Sequence, residues 1–353
     1  MSIGHDKANR KPDCVVLDTN IWRSALLLKT QMGQSLIYVL QRQGGRIGLP
    51  EVIEAELTAQ VVEVGVEAAK KLENLSRIVN VLTDSPFPAT VPTEAEFEKK
   101  VEEKLAELAS ILVRVPFTFE HAKAALNMVI AKLPPNSRKN QQFEDSAIWQ
   151  AVLTLSQDYT AHLVSNDRAF FLDPDDPSKG LAPNLQEDCQ RAGAIISGHC
   201  DLVSCLEAIT SDAPSFDQIR LVSLITEALM PRLRAEAARH RFRIIDSPEI
   251  KTQVFRTGQM NRLAVDYVIT VRFIVDASVV TDVRSDCRAI ARGSCYYDPA
   301  TNSISAEFLW SLVFEWKHPS GSICRMASAF GSEDPSFPFP PPVHWSWGNA
   351  IRS

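Results

Sequence analysis

The sequence has no long apolar segment, no closely paired cysteines and no excess of positive charge. None of its apolar runs reaches the roughly 18 residues that a membrane-spanning helix needs. Residues 1–7 are polar and lack the apolar core of a signal peptide. We therefore predict a cytoplasmic protein with no membrane partner. The net charge of −6 argues against a uniformly basic nucleic-acid-binding protein, although a local basic groove beside an acidic site remains compatible with it.

The cysteines form no recognisable metal or disulfide motif. There are seven of them, an odd number, and no two stand in a C-x-x-C pair. Cys200 and Cys205 lie close to each other and to His199, but their spacing makes a poor zinc motif. We interpret the cysteines as ordinary core thiols of a reducing compartment and keep a zinc site at these three residues as the less favoured alternative.

The chain is long enough for two ordinary domains. Its 353 residues are 45% hydrophobic and 23% charged, which is typical of a globular protein. The composition shifts at residues 211–215, so we predict one domain over 12–210 and a second over 216–353. Helical patterns separate short apolar runs in the first domain, which predicts an α/β fold with a parallel sheet. The second has a helix at 216–240 followed by long β-branched runs, which predicts an α+β fold with an antiparallel sheet.

A short apolar run, Cys14 to Leu17, ends abruptly in Asp18, Thr19 and Asn20. Such an unbroken run is typical of a buried parallel strand. In an open α/β sheet, ligands bind just beyond the carboxyl ends of the strands. The carboxylate of Asp18 is therefore a candidate functional group, provided that other such groups converge on it.

Three further acids occupy comparable positions. Glu56 lies in the first turns of the helix after a second predicted strand, along the edge of its apolar face, and Asp145 lies in the first turn of a later helix. Asp167 follows another predicted strand, residues 161–165. Each acid alone is more simply explained as a helix cap or a solvated charge. Four converging carboxylates, however, require a cation, and oxygen ligands suit Mg²⁺ or Mn²⁺, the ions that support phosphodiester hydrolysis.

In their order and context these residues resemble the PIN-domain nucleases. The family pattern matches Asp18-Thr19-Asn20 after the first strand, Glu56-Leu57 on a helix, Asp145 at the start of a helix, and Ser165-Asn166-Asp167 after a strand. The resemblance covers about residues 12–209. The 89 residues from Glu56 to Asp145 are more than a compact PIN domain uses, which implies an enlarged helical insert between them, as in the larger PIN-like branch of the family. Separately, the sequence pattern predicts helical structure from residue 60 to residue 115.

The resemblance implies a divalent-metal-dependent endonuclease acting on RNA in preference to DNA. Asp18, Glu56, Asp145 and Asp167 would bind Mg²⁺ or Mn²⁺, with Asn20 and Ser165 steadying them. Arg138 and Lys139 are candidates for holding a substrate phosphate. An equally good interpretation is that they belong to a solvated loop.

Two alternative functions belong to other classes. The chain could be a catalytically silent PIN-like scaffold that binds nucleic acid or protein. A haloacid-dehalogenase-type phosphatase is less favoured, because that family needs a second Asp where this chain has Asn20. The sequence does not choose among roles in RNA turnover, as a toxin or in defence. It also leaves open whether the chain binds a protein partner or forms a homo-oligomer.

Overall fold

The computed structural model describes residues 11–86, 90–137, 141–210, 214–259, 261–275, 285–317 and 321–328. The chain forms two units, and the boundary between them in the sequence falls between Ile209 and Thr210. Within the described ranges, no helix combines the length and the apolar character needed to cross a bilayer.

A five-stranded parallel sheet is the centre of the N-terminal unit. Its strands are β1 (Asp13–Leu17), β2 (Arg46–Pro50), β3 (Leu112–Val115), β4 (Thr160–Val164) and β5 (Ile196–His199). They are arranged in the order β3-β2-β1-β4-β5. The order reverses between β1 and β4, and the carboxyl end of such a switch point is where open α/β sheets bind ligands.

Eight α-helices accompany this sheet in the described part of the unit. They are α1 (Thr19–Ser24), α2 (Gln31–Gln43), α3 (Glu51–Thr83), α4 (Glu94–Glu107), α5 (Phe119–Ala131), α6 (Phe143–Leu155), α7 (Pro183–Ala192) and α8 (Leu202–Ile209). The apolar run of β1 is fully buried, as expected for a strand that carries helices on both faces. Helix α2 ends at Gly44, whose φ of 72° is a left-handed conformation that favours glycine. The predicted α/β class is confirmed.

The predicted insert between Glu56 and Asp145 is present: it contains most of α3, then α4, β3 and α5. Helix α3 has 33 residues, and α4 begins at a capping box in which the Thr93 amide donates to Glu96 Oε2 at 2.7 Å. The prediction that helical structure continues to residue 115 was wrong. Leu112 has helical spacing from earlier leucines, yet it lies in β3 and pairs with Ile47 of β2. This parallel pairing joins residues far apart in sequence, so the local pattern could not reveal it.

The C-terminal unit is a helix packed on an antiparallel sheet, as predicted. Helix α9 (Gln218–Arg239) is followed by β6 (Phe242–Ile244), β7 (Glu249–Arg256), β8 (Leu263–Val275), β9 (Ser285–Asp298), β10 (Ser303–Lys317) and β11 (Ile323–Ser328). The sheet order is β11-β10-β9-β8-β6, and β7 also pairs with β8. Leu221 and Ile225 of α9 belong to the same buried apolar cluster as Val265 and Phe314 of the sheet. The shorter strands β6, β7 and β11 were not predicted.

Candidate active site

The carboxyl edge of the parallel sheet contains an acidic cleft of about 410 Å³. Asp18 follows β1, Asp167 lies three residues after β4, and Glu56 and Asp145 lie on α3 and α6. All four line the cleft together with Glu144. The remaining lining residues are Thr19, Asn20, Gln60, Gln141, Gln142 and Phe143. The structure therefore brings together the four acids that the sequence singled out, and adds a fifth.

Asp18 is the most deeply buried of these acids. Its side chain is only 5% exposed, and its backbone amide donates to the carbonyl of Val164 at 2.9 Å, which joins the ends of β1 and β4. Burial raises the pKa of Asp18, and the negative charge of Asp167 raises it further. Hydrogen bonds from Ser165, from the Thr19 backbone and from Asn20 oppose this rise. Asp18 is thus held in a place that disfavours its own negative charge.

Glu56 contacts a neutral hydroxyl and another carboxyl group. Thr19 Oγ1 donates to Glu56 Oε2 at 2.7 Å. Burial raises the pKa of Glu56 to about 7, and a hydrogen bond with Glu144 adds to the rise. That hydrogen bond requires a proton on one of the two carboxyl groups. Glu56 lies in the second turn of α3, which begins at Glu51 as predicted.

Glu144 is the acid that the sequence analysis did not single out. It lies in the first turn of α6 beside Asp145, and both line the cleft. Acids in a first helical turn are common for purely electrostatic reasons, so Glu144 looked unexceptional. Position in the first turn of α6 does not distinguish Glu144 from Asp145, and only Asp145 also matches the family pattern.

Burial and three neighbouring acids together perturb Asp145. Burial raises its pKa to about 8, and the charges of Asp18 and Asp167 are the next largest causes. The start of α6 is fixed by Asn136, which is 3% exposed. Asn136 Oδ1 accepts from the Gln142 backbone amide at 2.6 Å, and its Nδ2 donates to Ser146 Oγ at 2.7 Å. These bonds hold the first turn of α6, and hence Asp145, against the cleft.

Ser165 joins two of the acids. Its hydroxyl donates to Asp18 Oδ2 at 2.8 Å and accepts from the backbone amide of Asp167 at 3.0 Å. Asp167 Oδ1 in turn accepts from the Ala169 amide at 2.8 Å, and Gln142 Nε2 donates to Asp167 Oδ2. A single hydroxyl can donate one bond and accept two, so Ser165 can serve both acids simultaneously.

The other predicted site residues have different outcomes. Asn20 lines the cleft, and its Oδ1 accepts from Arg23 at 3.2 Å. Arg138 and Lys139 lie outside the described residues. None of the described residues that line the cleft is a lysine or an arginine. Among the described residues, the side chains that line the cleft therefore supply no positive charge to balance the carboxylates.

The chemistry of the donors fits a hard divalent cation. The ionisable groups of the lining are all carboxyl groups, with amide and hydroxyl oxygens around them. Oxygen donors of this kind suit Mg²⁺ or Mn²⁺ rather than zinc. A cation in this cleft would also remove the repulsion that raises the pKa of Asp145. The cleft therefore has the composition of a divalent-metal site.

Comparison with protein families identifies one match. Residues 15–170 match the family model described as PIN domain. This range includes all five acids of the cleft and ends before the C-terminal unit begins. No curated protein and no solved structure matches the chain.

Proposed function

We propose that this protein is a divalent-metal-dependent endonuclease that cleaves RNA. The proposal is supported by the match of residues 15–170 to the PIN-domain family model, because PIN domains are generally metal-dependent nucleases. The observation that carries the proposal is the convergence of Asp18, Glu56, Asp145 and Asp167 in one cleft at the carboxyl edge of the sheet. The preference for RNA over DNA rests on the family resemblance.

The acids have separate roles in this proposal. Asp18, Asp145 and Asp167 hold Mg²⁺ or Mn²⁺, and Ser165 and Asn20 keep Asp18 in place. A bound cation supplies an activated water and neutralises charge on the scissile phosphate. Glu56 lines the same cleft, and its carboxylate would act as the general base that accepts a proton from water. Thr19 orients Glu56 through its bond to Oε2.

The test is cleavage by the purified full-length protein. End-labelled single-stranded RNA, structured RNA and single-stranded DNA are incubated with Mn²⁺, Mg²⁺ or EDTA, and the cut ends are mapped. We expect internal cuts in RNA that require the divalent ion. The Asp18→Asn and Asp145→Asn variants should each lower the rate by about 100-fold or more, as expected when groups that stabilise the transition state are removed.

A matched control comes from the same helix as Glu56. Glu54 lies two residues earlier on α3, outside the cleft lining, and its Oε1 pairs with Arg114 at 3.0 Å. The Glu54→Gln variant should cleave at the wild-type rate. Undiminished cleavage by both Asp variants would refute the proposal. Tight RNA binding with no cleavage in any divalent ion would instead favour a silent scaffold.

A further inference from the structure

A second group of ligand-type side chains lies away from the acidic cleft, within the N-terminal unit. His162 lies in β4, His199 is the last residue of β5, and Cys205 lies on α8. One nitrogen of each histidine and the sulfur of Cys205 all lie within 4.8 Å of one another. All three residues are buried. Two imidazoles and a thiol are ligands that zinc prefers, unlike the carboxylates of the cleft.

The sheet register explains why these residues meet. Strands β4 and β5 are parallel, with Val164 opposite His199. Side chains two residues apart on a strand share a face, so His162 and His199 lie on the same face of the sheet. Helix α8 contacts both strands and carries Cys205. Three separate elements therefore contribute one donor each.

The spacing of the two nitrogens suits a tetrahedral ion. His162 Nδ1 and His199 Nε2 are 3.1 Å apart. Two nitrogens that bind zinc at about 2.0–2.1 Å in tetrahedral geometry are separated by about 3.3 Å. The imidazoles would need to move by only a few tenths of an ångström. The same 3.1 Å also suits a direct hydrogen bond between the rings, which is the competing explanation.

Asp13 supplies the outer partner that metal-binding histidines usually have. Its Oδ1 lies 3.3 Å from His162 Nε2. When His162 carries its proton on Nε2 and donates it to this carboxylate, its Nδ1 keeps a lone pair. That lone pair is directed at His199 and Cys205. A carboxylate on the far side of the imidazole orients the ring and increases its basicity as a ligand.

We propose that His162, His199 and Cys205 bind a zinc ion that ties β4, β5 and α8 together. Water would complete the coordination, and binding would release the Cys205 thiol proton to solvent. The less favoured zinc site of the sequence analysis consisted of His199, Cys200 and Cys205. The structure groups His162, and not Cys200, with the other two residues. The Cys200 sulfur instead lies 3.7 Å from Asp201 Oδ2. This inference does not depend on nuclease activity.

The experiment is a Co²⁺ titration of the full-length, chelator-stripped protein with excess Mg²⁺ present to compete for the carboxylates. We expect one equivalent of Co²⁺ to produce a thiolate-to-cobalt charge-transfer band, which Zn²⁺ then abolishes by displacement. The Cys205→Ser variant should lose this band. Cys200→Ser is the matched control, because Cys200 is a neighbouring cysteine outside the group, and it should keep the band.

Three results would overturn the proposal. The first is a wild-type protein that gives no thiolate band, which would favour a direct hydrogen bond between the imidazoles. The second is a band that persists in Cys205→Ser. The third applies if Cys205→Ser does not fold, in which case Asp13→Asn is used instead. This variant should bind Co²⁺ about 10–100-fold more weakly than wild type, because His162 loses its carboxylate partner. An unchanged affinity would refute the site.

Discussion

Removing one acid from the cleft should stabilise the metal-free protein. The pKa of Asp145 is raised from 3.8 to about 8 in the folded chain. Between these pH values the unfolded chain has lost the proton that the folded chain keeps, so the free energy of unfolding falls as pH rises from about 4 to about 8. Asparagine does not titrate. The Asp145→Asn variant should therefore be more stable than wild type in EDTA, and the difference should grow with pH in this window.

The magnitude follows from the pKa difference. At pH 7, about three pH units above the unfolded value, 1.36 kcal/mol per unit gives about 4 kcal/mol as an upper bound. The cleft is open to water, which screens the ionised form, so we expect a measured gain of about 1–2 kcal/mol. In a unit of this size that corresponds to a rise in Tm of about 2–4 °C for each kcal/mol.

The assay is a set of thermal melts in EDTA at pH 5 and pH 8, followed by the same melts with saturating Mn²⁺. Bound Mn²⁺ at about 100 times its Kd adds about 2.7 kcal/mol to wild type, so the order of stability should reverse when the metal is present. Glu54→Gln removes an acid paired with Arg114 at the surface and should lower stability by no more than about 1 kcal/mol. If Asp145→Asn melts below wild type at pH 8 in EDTA, the reasoning is wrong.

Three further substitutions test two residues that hold the acids of the cleft in place and one residue of the apolar core of the C-terminal unit. Asn136→Ala removes buried hydrogen bonds at the start of α6 and should lower the free energy of unfolding by about 2–4 kcal/mol in denaturant melts, with slower cleavage because Asp145 is displaced. Ser165→Ala removes a donor that lowers the pKa of Asp18, so calorimetry should show Mn²⁺ affinity about 10-fold weaker. Phe314→Ala empties a fully buried position in the C-terminal unit and should cost about 3–5 kcal/mol in denaturant melts.

The convergence of the four acids in one cleft was predictable because each of them follows or borders a predicted parallel strand. Asp18 comes directly after an apolar run that is typical of a buried strand, and Asp167 follows a similar run. The parallel-sheet rule then places both at one edge. The rule also brought in Glu56 and Asp145 through the helices that border that edge. Glu144 escaped because its position in a first helical turn has an ordinary electrostatic explanation, and only the packed structure shows its hydrogen bond to Glu56.

The features that could not be predicted depend on contacts between distant parts of the chain. Leu112 fits a helical period, and its place in β3 is decided by pairing with β2, about 65 residues earlier. His162 has no sequence motif that connects it with Cys205. The register between β4 and β5 and the docking of α8 bring the two together. In both cases local propensity leaves the outcome open, and tertiary packing decides it.

The buried acids of the cleft lower the stability of the folded, metal-free protein. Burial disfavours the ionised forms of Asp18, Glu56 and Asp145, and no lysine or arginine among the described lining residues offsets this. The backbone holds Asp18 at this edge through bonds that do not involve the carboxylates: β1 pairs with β4 along its whole length, and the Asp18 amide donates to the Val164 carbonyl. Such conflicts between local chemistry and fold are expected at functional sites. A divalent ion that resolves the conflict must, by linkage, also stabilise the folded unit, so affinity for the ion and resistance to unfolding should rise together.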